Sequence, residues 1–445
     1  MFDPLYTSEE MRAAEEAYPG YPDTIPELMD MAGGAVAEAI SQRWPGARVV
    51  AVCGKGSNGG DGRVAAEQLG GTVVEVGEDI PRGADVVVDA LFGTGFHGEP
   101  RPEVARQIEQ INASGAHVVS VDIPSGVDAS TGEVAGVAVE TELTVTFHGL
   151  KVGLVVAPGR FHTGARHVAD IGLEPRETEH RLVTEAILDL VPRKHERDNK
   201  YSAGAVLVVG GSQGMSGAAA LAARAAFRAD AGYVAVAAPA QSLPMLETLV
   251  VEAVKRPLED VFDAAGRAGA LALGPGLGRS ADRKGLVRRL LEETDVPAVV
   301  DADALFELEP FERSAPTVLT PHSGELGRLI GEESSWVDTH RLEALRRAVD
   351  RFGCVVLLKG SDTIVSAPRA RTLITAGTPR LATAGTGDVL TGIVGAFLSK
   401  GMDAQLAAAA AARVHADAAL AWPHGRGLVA SDVIAELPGV LDAAV

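Results

Sequence analysis

The chain has 445 residues, of which 46% are hydrophobic and 51 are glycine. This is more than one ordinary hydrophobic core accommodates, so we expect two or three domains. Lys and Arg number 40 against 60 Asp and Glu, which gives a net charge of −20. Such an acidic balance argues against nucleic acid or an anionic membrane as a partner. A phosphorylated ligand would have to be held by local N–H groups, a few cations or a metal.

The cysteine content points to a reducing compartment. The two cysteines, Cys53 and Cys354, lie in apolar, strand-like stretches without metal-ligand spacing, so we expect buried thiols in a cytoplasmic protein. The N-terminus lacks a basic region followed by an apolar run, and no signal peptide is expected. The alanine-rich stretch 405–422 is interrupted by charged residues. That pattern suits a buried helix and not a membrane span.

The first 170 residues alternate between helical and strand-like patterns. Thr7 and Glu10 have the spacing of a capping box, and apolar residues recur at helical spacing after Pro26. Short β-branched runs follow, at 49–53, 72–74, 85–89, 117–122 and 143–147. Helical segments such as Val64–Leu69 and Pro102–Ser114 separate several of these runs. The alternation predicts a parallel sheet with crossover helices and a ligand site at the carboxyl ends of the strands.

Polar residues cluster where three of these strands end. The glycine-rich stretch 54–62 follows the first strand and carries Asn58; it also satisfies G-x-G-x-x-G, so a dinucleotide-binding fingerprint is one interpretation. Asp89 ends a later strand, and Asp122 and Ser125 end the next. Oxygen donors without Cys or paired His favour a hard cation, K⁺ or Mg²⁺, or a general base. The alternative is that each is only a turn former or helix cap.

Four motifs in this half resemble the NAD(P)H-hydrate epimerase domain. They are Leu28–Gly33, Ser57–Gly62, Asp89–Gly95 and Val121–Asp128. The resemblance implies that Asp122 is the catalytic acid/base and that Asn58, Asp89 and Ser125 ligate K⁺. The implied substrate-binding residues are Asn58, Gly59, Gly60, Asp61, Gly93, Thr94, Gly95, Phe96, His97, Gly98 and Glu99. The family usually has Asn where this chain has Ser57, which puts one ligand contact in doubt.

A charged segment without periodicity, 174–180, predicts a domain boundary. A second alternation of strands and helices begins after Tyr201, and its strands again end in glycine-rich or polar loops, one of which is Lys359–Thr363. The last of these loops, Gly385-Thr-Gly-Asp388, opens an apolar helix. Glycine N–H groups and the positive end of a helix dipole favour an anion there, and the Asp388 carboxylate could accept a proton. Alone, Asp388 could equally be a helix cap.

The second half lacks the Walker signature G-x-x-x-x-G-K-[ST]. Its G-T-G-D helix start resembles the ribokinase-like superfamily. Further motifs are similar to the ADP-dependent NAD(P)H-hydrate dehydratase; they lie at 210–218, 274–278, 301–305, 320–325, 358–363 and 384–390. One departure is Asp230, where that family tends to have glycine, and we expect it to affect packing more than chemistry.

This second resemblance implies a site for the hydrated nucleotide and one for the adenine nucleotide. Asp388 would be the catalytic base. The implied substrate-binding residues are Ala218, Gly276, Gly278 and His322. The implied nucleotide-binding residues are Lys359, Gly360, Ser361, Asp362, Thr363, Gly385 and Gly387. Taken singly, Lys359 could be a solvated strand end and His322 a residue bonded to its own backbone.

Together the resemblances imply a Rossmann-like three-layer α/β/α epimerase domain at 1–175, followed by a ribokinase-like α/β dehydratase domain at 182–445. The implied reactions are epimerisation of the R and S hydrates of NADH or NADPH, and ADP-dependent dehydration of the S hydrate with release of AMP and phosphate. K⁺ would serve the first domain and Mg²⁺ with ADP the second. A homo-oligomer is expected. The alternatives are a ribokinase-like small-molecule kinase fused to a dinucleotide-binding domain, and a non-catalytic NAD(P) sensor.

Overall fold

The computed structural model of the protein describes residues 1–443, and its contacts divide them into two compact units. The first unit comprises residues 4–181 together with 338–341, and the second unit comprises the remaining described residues. None of the helices in residues 1–443 is both long enough and apolar enough to cross a membrane.

The first unit is built on a six-stranded parallel sheet. Its helices are α1 (Ser8–Glu16), α2 (Ile25–Arg43), α3 (Ser57–Leu69) and α4 (Pro102–Asn112). The strands of this region are β1 (Phe2–Tyr6), β2 (Val49–Cys53), β3 (Thr72–Glu75), β4 (Val86–Ala90), β5 (His117–Val121), β6 (Leu143–Phe147), β7 (Leu150–Lys151) and β8 (Ala165–Ala169). The order β3-β2-β4-β5-β6-β8 makes β2, β4 and β5 neighbours. The expectation of a parallel sheet is confirmed, and the separate strands β1 and β7 pair in parallel with each other.

Helices cover both faces of this sheet. Alternate residues of β2 point to opposite sides: Ala51 packs in one apolar cluster with Ile40 of α2, and Val52 packs in another with Ile108 of α4. Such strands are apolar throughout because both of their faces are buried. The arrangement is the three-layer α/β/α sandwich expected from the sequence.

Helix α3 begins earlier than the sequence suggests. The helical pattern predicts a start at Val64, whereas α3 starts at Ser57 and includes most of the glycine-rich stretch. A Cβ atom at Gly59 would lie 1.9 Å from the Gly54 carbonyl oxygen, and one at Gly60 would lie 2.4 Å from the Met29 sulfur. These glycines therefore let the first turn of α3 pack closely against Gly54 and Met29. The glycine-rich stretch is helical from Ser57 onward, although its composition resembles that of a loop.

The second unit contains the other strands and helices. Its strands are β9 (His180–Val183, shared with the first unit), β10 (Ala205–Val209), β11 (Tyr233–Ala238), β12 (Val254–Pro257), β13 (Ala270–Leu273), β14 (Ala298–Val300), β15 (Thr317–Leu319), β16 (Val355–Leu358), β17 (Asp362–Ser366) and β18 (Thr372–Ala376). Its helices are α5 (Ser216–Arg228), α6 (Leu243–Leu249), α7 (Val261–Ala265), α8 (Ala281–Glu293), α9 (Ser323–Ile330), α10 (Ser334–Thr339), α11 (Arg341–Phe352), α12 (Thr386–Ser399), α13 (Ala404–Ala421) and α14 (Ala430–Ala443).

The sheet of the second unit runs in the order β12-β11-β10-β13-β14-β15-β16-β17-β18. Its pairs are parallel from β12 to β16, and then β17 and β18 add in antiparallel fashion. Residues Asp362 and Thr363, expected in a loop, lie in β17. The turn between β16 and β17 is short, so Lys359 is carried at the tip of a hairpin and not at the end of a crossover.

Alanine-rich helices form the core of the second unit. A Cβ atom at Gly392 of α12 would lie 2.1 Å from the Ala222 carbonyl oxygen of α5, so only glycine permits this approach. The expected buried helix is α13, whose alanines are almost all inaccessible. Small side chains on α5, α12 and α13 thus allow their backbones to approach closely. Of the two cysteines, Cys53 is buried as expected, but Cys354 is only half-buried.

The backbone at Asp230 is in a left-handed conformation, which explains why glycine is expected at this position. Its φ is +70°, and its carboxylate compensates by binding the Nζ atoms of Lys194 and Lys400 at 2.7 and 2.8 Å. The Lys400 side chain is 4% exposed, so this carboxylate is its main counter-charge.

We predict that Asp230→Gly and Asp230→Ala both lower the melting temperature, because each leaves the Lys400 ammonium without its carboxylate. Alanine should be the worse of the two by about 1–2 kcal/mol, the penalty of left-handed backbone for a residue with a Cβ atom. Calorimetry of the full chain would measure this, with Asp189→Ala as an exposed control. An alanine variant as stable as the glycine variant would contradict the backbone argument.

Candidate active sites

A cavity of 770 Å³ opens at the carboxyl ends of β2, β4 and β5 in the first unit. Its wall combines the carboxylates Glu15, Asp61 and Asp122 with the aromatic rings of Phe92 and Phe96. The two rings stack with centroids 4.5 Å apart and planes inclined by 13°. The cavity therefore offers acid/base groups beside a flat apolar surface, as a heterocyclic ligand requires.

Asp122 is held by a buried lysine. Its Oδ1 atom lies 2.5 Å from Nζ of Lys151, whose side chain is fully buried, and also accepts a hydrogen bond from Thr146 Oγ1 at 3.1 Å. Lys151 Nζ donates in addition to Thr146 Oγ1 and to the Phe147 carbonyl. Asp122 has a φ of +65°, a strained conformation for a residue with a side chain. Asp122 lines the cavity in spite of the ion pair, so the carboxylate stays available to a ligand.

Asp89 lies at the centre of a buried network of oxygen atoms. It accepts hydrogen bonds from Ser125 Oγ at 2.6 Å, Ser125 N at 2.8 Å and Ser120 Oγ at 2.9 Å. Ser125 Oγ in turn accepts from Phe92 N, and the Phe92 carbonyl accepts from Asn58 Nδ2 at 2.8 Å. Asn58, Asp89 and Ser125, the three predicted K⁺ ligands, are therefore linked in one hydrogen-bond network through the Phe92 backbone. Burial raises the pKa of Asp89, and the hydrogen bonds from Ser125 oppose that shift.

Two other carboxylates in the cavity wall carry perturbed pKa values. Burial raises the pKa of Asp61 to about 8, and the negative charges of Asp122 and Glu15 add to the effect. Burial, and then Asp122, raise the pKa of Glu15 as well, against the attraction of Lys151. Three acidic side chains, Glu15, Asp61 and Asp122, are thus crowded in one buried wall, and Lys151 pairs with Asp122. Such crowding is common where an acid must hold its proton at neutral pH.

The predicted substrate-binding residues divide into two groups. The cavity wall contains Asn58, Asp61, Gly93, Thr94, Gly95, Phe96, His97 and Glu99, whereas Gly59, Gly60 and Gly98 lie outside it. His97 Nδ1 is 2.7 Å from the Asp128 carboxylate, which orients the imidazole at the rim.

The second unit carries its own carboxylate–lysine pair beside the G-T-G-D helix start. Lys359 Nζ is 2.7 Å from Asp301 Oδ1, and Asp301 Oδ2 accepts a hydrogen bond from Thr391 Oγ1 at 2.6 Å. Glu325 Oε2 is 3.8 Å from the same ammonium. Burial disfavours the charged lysine, but the carboxylates of Asp301 and Glu325 outweigh it and raise the pKa of Lys359.

Asp388 is the third residue of α12 and lies in this electrostatic environment. Burial raises its pKa to about 7, and the negative charge of Asp301 adds to the shift while Lys359 opposes it. Gly385 caps the helix with a φ of +89°, and a Cβ atom at Gly387 would be 3.5 Å from Lys359 Nζ. The free N–H groups of the first turn, the ammonium and a carboxyl that titrates near neutrality are therefore close together.

Other predicted site residues of the second unit make local contacts of different kinds. His322 caps α9: its Nδ1 accepts from Gly324 N at 3.0 Å, and Glu325 bonds back to His322 N. Gly278 N donates to Asp303 Oδ2 at 2.9 Å. Gly276 and Ala218 pack against each other, with 3.2 Å between the Ala218 Cβ and a Cβ built on the glycine. On the hairpin, Ser361 Oγ donates to Asp362 Oδ1.

His415 of α13 supports the same helix start and is not among the residues that the sequence predicts for the site. It is 6% exposed, and its ring makes a hydrogen bond with the Thr386 backbone, while Nε2 has no partner in the described part of the chain. Burial lowers the pKa of His415 to about 4, so the ring is neutral at physiological pH.

Sequence reasoning also missed Lys151, Thr146 and Glu15. A lysine in the apolar run Leu150–Leu154 was the one signal that could have identified Lys151, since a buried ammonium needs an anionic partner. Glu15 reaches the cavity from α1, and nothing in its sequence neighbourhood predicts that position.

Comparison with known proteins places both units in described families. The family described as NAD(P)H-hydrate dehydratase matches residues 206–438, about half of the chain. The family described as YjeF-related protein N-terminus matches residues 26–77 and 67–153. A crystal structure of the ADP/ATP-dependent NAD(P)H-hydrate dehydratase from Bacillus subtilis, obtained with ATP/Mg²⁺, matches with 28% identity and a TM-score of 0.55; the match covers 59% of this chain and 98% of that one.

Curated relatives match almost the whole chain. The bifunctional NAD(P)H-hydrate repair enzyme of Moorella thermoacetica is 37% identical, with 93% of this chain and 92% of the relative covered. The enzyme of the same name from Escherichia coli is 32% identical, with 99% and 94% covered. The expected α/β domains and both resemblances are confirmed, and the chain belongs to the family of bifunctional NAD(P)H-hydrate repair enzymes.

Proposed function

We propose that the two units repair the same damaged cofactor, a nicotinamide ring that has gained water at carbon six. The epimerase domain, residues 1–175, interconverts the R and S hydrates. The dehydratase domain, residues 182–445, removes water from the S hydrate with ADP and releases NAD(P)H, AMP and phosphate. The observation that carries the proposal is that each unit has a carboxylate, Asp122 or Asp388, next to glycine-rich backbone and close to a lysine, Lys151 or Lys359.

In the first unit, we propose that Asp122 exchanges protons with the hydrated ring while the Gly93–Glu99 loop holds the dinucleotide. Lys151 orients the Asp122 carboxylate, and the stacked rings of Phe92 and Phe96 offer an apolar surface to a base. The fully buried Asp89 and the oxygens of Asn58 and Ser125 suit K⁺, which prefers oxygen ligands. K⁺ bound there would supply positive charge for the ligand. A melting temperature that rises with K⁺ and not with Na⁺ would support this site, and equal effects would count against it.

In the second unit, we propose that Asp388 takes the proton of the substrate hydroxyl as that oxygen attacks the terminal phosphoryl group of ADP. Hydroxide is a poor leaving group, and phosphorylation converts it to a good one. The N–H groups at Gly385 and Gly387 and the Lys359 ammonium would stabilise the negative charge of the phosphates. Mg²⁺, present with ATP in the Bacillus subtilis relative, would neutralise phosphate charge here too. Ala218, Gly276, Gly278 and His322 would contact the hydrate.

We further propose that the protein is cytoplasmic and forms a homo-oligomer. Cys53 and Cys354 form no disulfide with each other, as expected of a protein in a reducing compartment. Fractionation of cells and sedimentation of the purified chain would test the two statements; a secreted or monomeric protein would overturn them.

We predict that exchanging either carboxylate for its amide separates the two activities. Asp388→Asn should lower kcat for dehydration about 10²–10⁴-fold, the usual contribution of a general base, and leave epimerisation unchanged. Asp122→Asn should do the reverse. Recovery of reduced-nicotinamide absorbance with ADP measures the first activity, and chiral chromatography of the hydrates measures the second.

The outcome of that experiment also excludes other functions. Loss of both activities in a folded Asp388→Asn protein would contradict the division between the units. A stable phosphoester in place of phosphate and AMP would indicate an ordinary kinase. Tight binding of NAD without turnover of its hydrate would indicate a sensor.

We predict that dehydration requires the unprotonated form of Asp388, so kcat should rise with pH and level off above about pH 7, where its pKa lies. Lys359→Gln removes a cation that lowers this pKa, so its profile should move to higher pH. Initial rates between pH 5 and 9 at saturating ADP would show both effects. A profile that Lys359→Gln does not move would exclude Asp388 as the titrating group.

A further inference from the structure

Asp61 differs from the other buried aspartates of the first unit, Asp89 and Asp122, in that its carboxylate has no hydrogen-bond partner in the described part of the chain. It is 9% exposed and lies in the wall of the 770 Å³ cavity. Within residues 1–443, no donor contacts its carboxylate, whereas Asp89 has four hydrogen bonds and Asp122 has Lys151 and Thr146. A buried charged carboxylate without donors is costly, so a group so placed either holds a proton or waits for a ligand.

The surroundings of Asp61 favour the protonated form. The groups that act on it are the carboxylates of Glu15, from α1, and of Asp122, which follows β5. The nearby cation, Lys151, is already bound to Asp122 at 2.5 Å. Burial first, and then these two charges, raise the pKa of Asp61 to about 8. The cavity wall therefore contains a carboxylic acid, Asp61, that can give a proton and an ion-paired carboxylate, Asp122, that can receive one.

We propose that Asp61 is the proton donor of the epimerase unit and that it works with Asp122 as an unequal acid/base pair. This inference rests on the proposed function. Asp61 passes its proton to the hydroxyl oxygen at carbon six, the C6–O bond breaks, and the lone pair of ring nitrogen N1 forms a C=N⁺ bond.

The ring returns to the hydrate when water adds to the opposite face of carbon six. The new C6–O bond forms, the C=N⁺ electron pair goes back to N1, and Asp122 takes the proton of the attacking water. Asp61 regains a proton and Asp122 loses one through cavity water, so no atom is gained or lost and nothing is oxidised. For the opposite epimer the two carboxyl groups exchange roles, as required when one pair serves both directions.

The strongest alternative is that Asp61 only binds substrate, for example by accepting hydrogen bonds from a ribose hydroxyl. The two roles differ in what an amide can replace. Asparagine keeps the size and hydrogen-bonding capacity of the side chain, but it cannot give up a proton at neutral pH. Binding would survive the exchange in part, and proton donation would not.

The test is the epimerisation kinetics of Asp61→Asn in the full chain, measured by chiral chromatography after subtracting the uncatalysed rate. We expect kcat to fall at least about 100-fold with KM within about threefold, since donation acts in the transition state. Glu67→Gln, an exposed carboxylate on the same helix α3, is the matched control and should behave as wild type. Dehydration by Asp61→Asn should be unchanged, which shows that the protein is folded.

Further variants and pH separate donation from binding. Wild-type epimerisation should decline above about pH 8 as Asp61 loses its proton, and Asp61→Glu should recover part of the activity with a shifted profile. An unchanged kcat with a raised KM in Asp61→Asn would overturn the proposal in favour of binding. An Asp61→Asn protein that epimerises normally would overturn it outright, while a wild-type chain without epimerase activity would instead contradict the proposed function.

Stability gives a readout that does not depend on activity. A carboxyl whose pKa is higher in the folded state binds more protons there, so its contribution to the free energy of unfolding declines as pH rises from about 4 to about 8. Asp61→Asn removes this contribution. The wild-type stability should therefore fall more steeply over that range than that of the variant, and parallel curves would show that Asp61 is not protonated in the folded protein.

Discussion

In each unit an ion pair between a lysine and a carboxylate sets the electrostatics of the neighbouring acidic side chains. In the first unit Lys151 binds Asp122, and in the second Lys359 binds Asp301. A buried ammonium needs its counter-charge, so each pair fixes the position of both partners. The carboxyl groups left outside the pair, Asp61 and Asp388, have raised pKa values because burial is not offset by a cation of their own.

Both units form this arrangement at the carboxyl ends of parallel strands, but with different supports. In the first unit the lysine comes from the short strand β7 and the carboxylates from α1, α3 and the loop after β5. In the second the lysine lies on the β16–β17 hairpin, and the carboxylate lies in the first turn of α12. An antiparallel hairpin fixes its tip more closely than a crossover loop would, which suits the 2.7 Å contact between Lys359 and Asp301.

Glycine and alanine set the distances on which these sites depend. Gly59 and Gly60 let α3 begin against the Gly54 carbonyl and Met29, which brings Asn58 and Asp61 to the cavity. Gly392 lets α12 approach α5, and His415 of α13 bonds to Thr386 at the start of α12. At Asp230, where glycine is expected, ion pairs with Lys194 and Lys400 offset the cost of the left-handed backbone. Packing of small residues is therefore what positions the chemical groups.

The sequence by itself determined the two α/β units, the order of their strands and helices, and the polar residues at the strand ends. These follow from local patterns: apolar periodicity, glycine before a helix and charge between domains. It could not show that α3 begins at Ser57, that Asp362 lies in a strand, or that Lys151 and Glu15 reach Asp122. Only the tertiary structure decided those points, because ion pairing, burial and pKa depend on residues distant in the chain, such as Asp122 and Lys151, and no local pattern records that proximity.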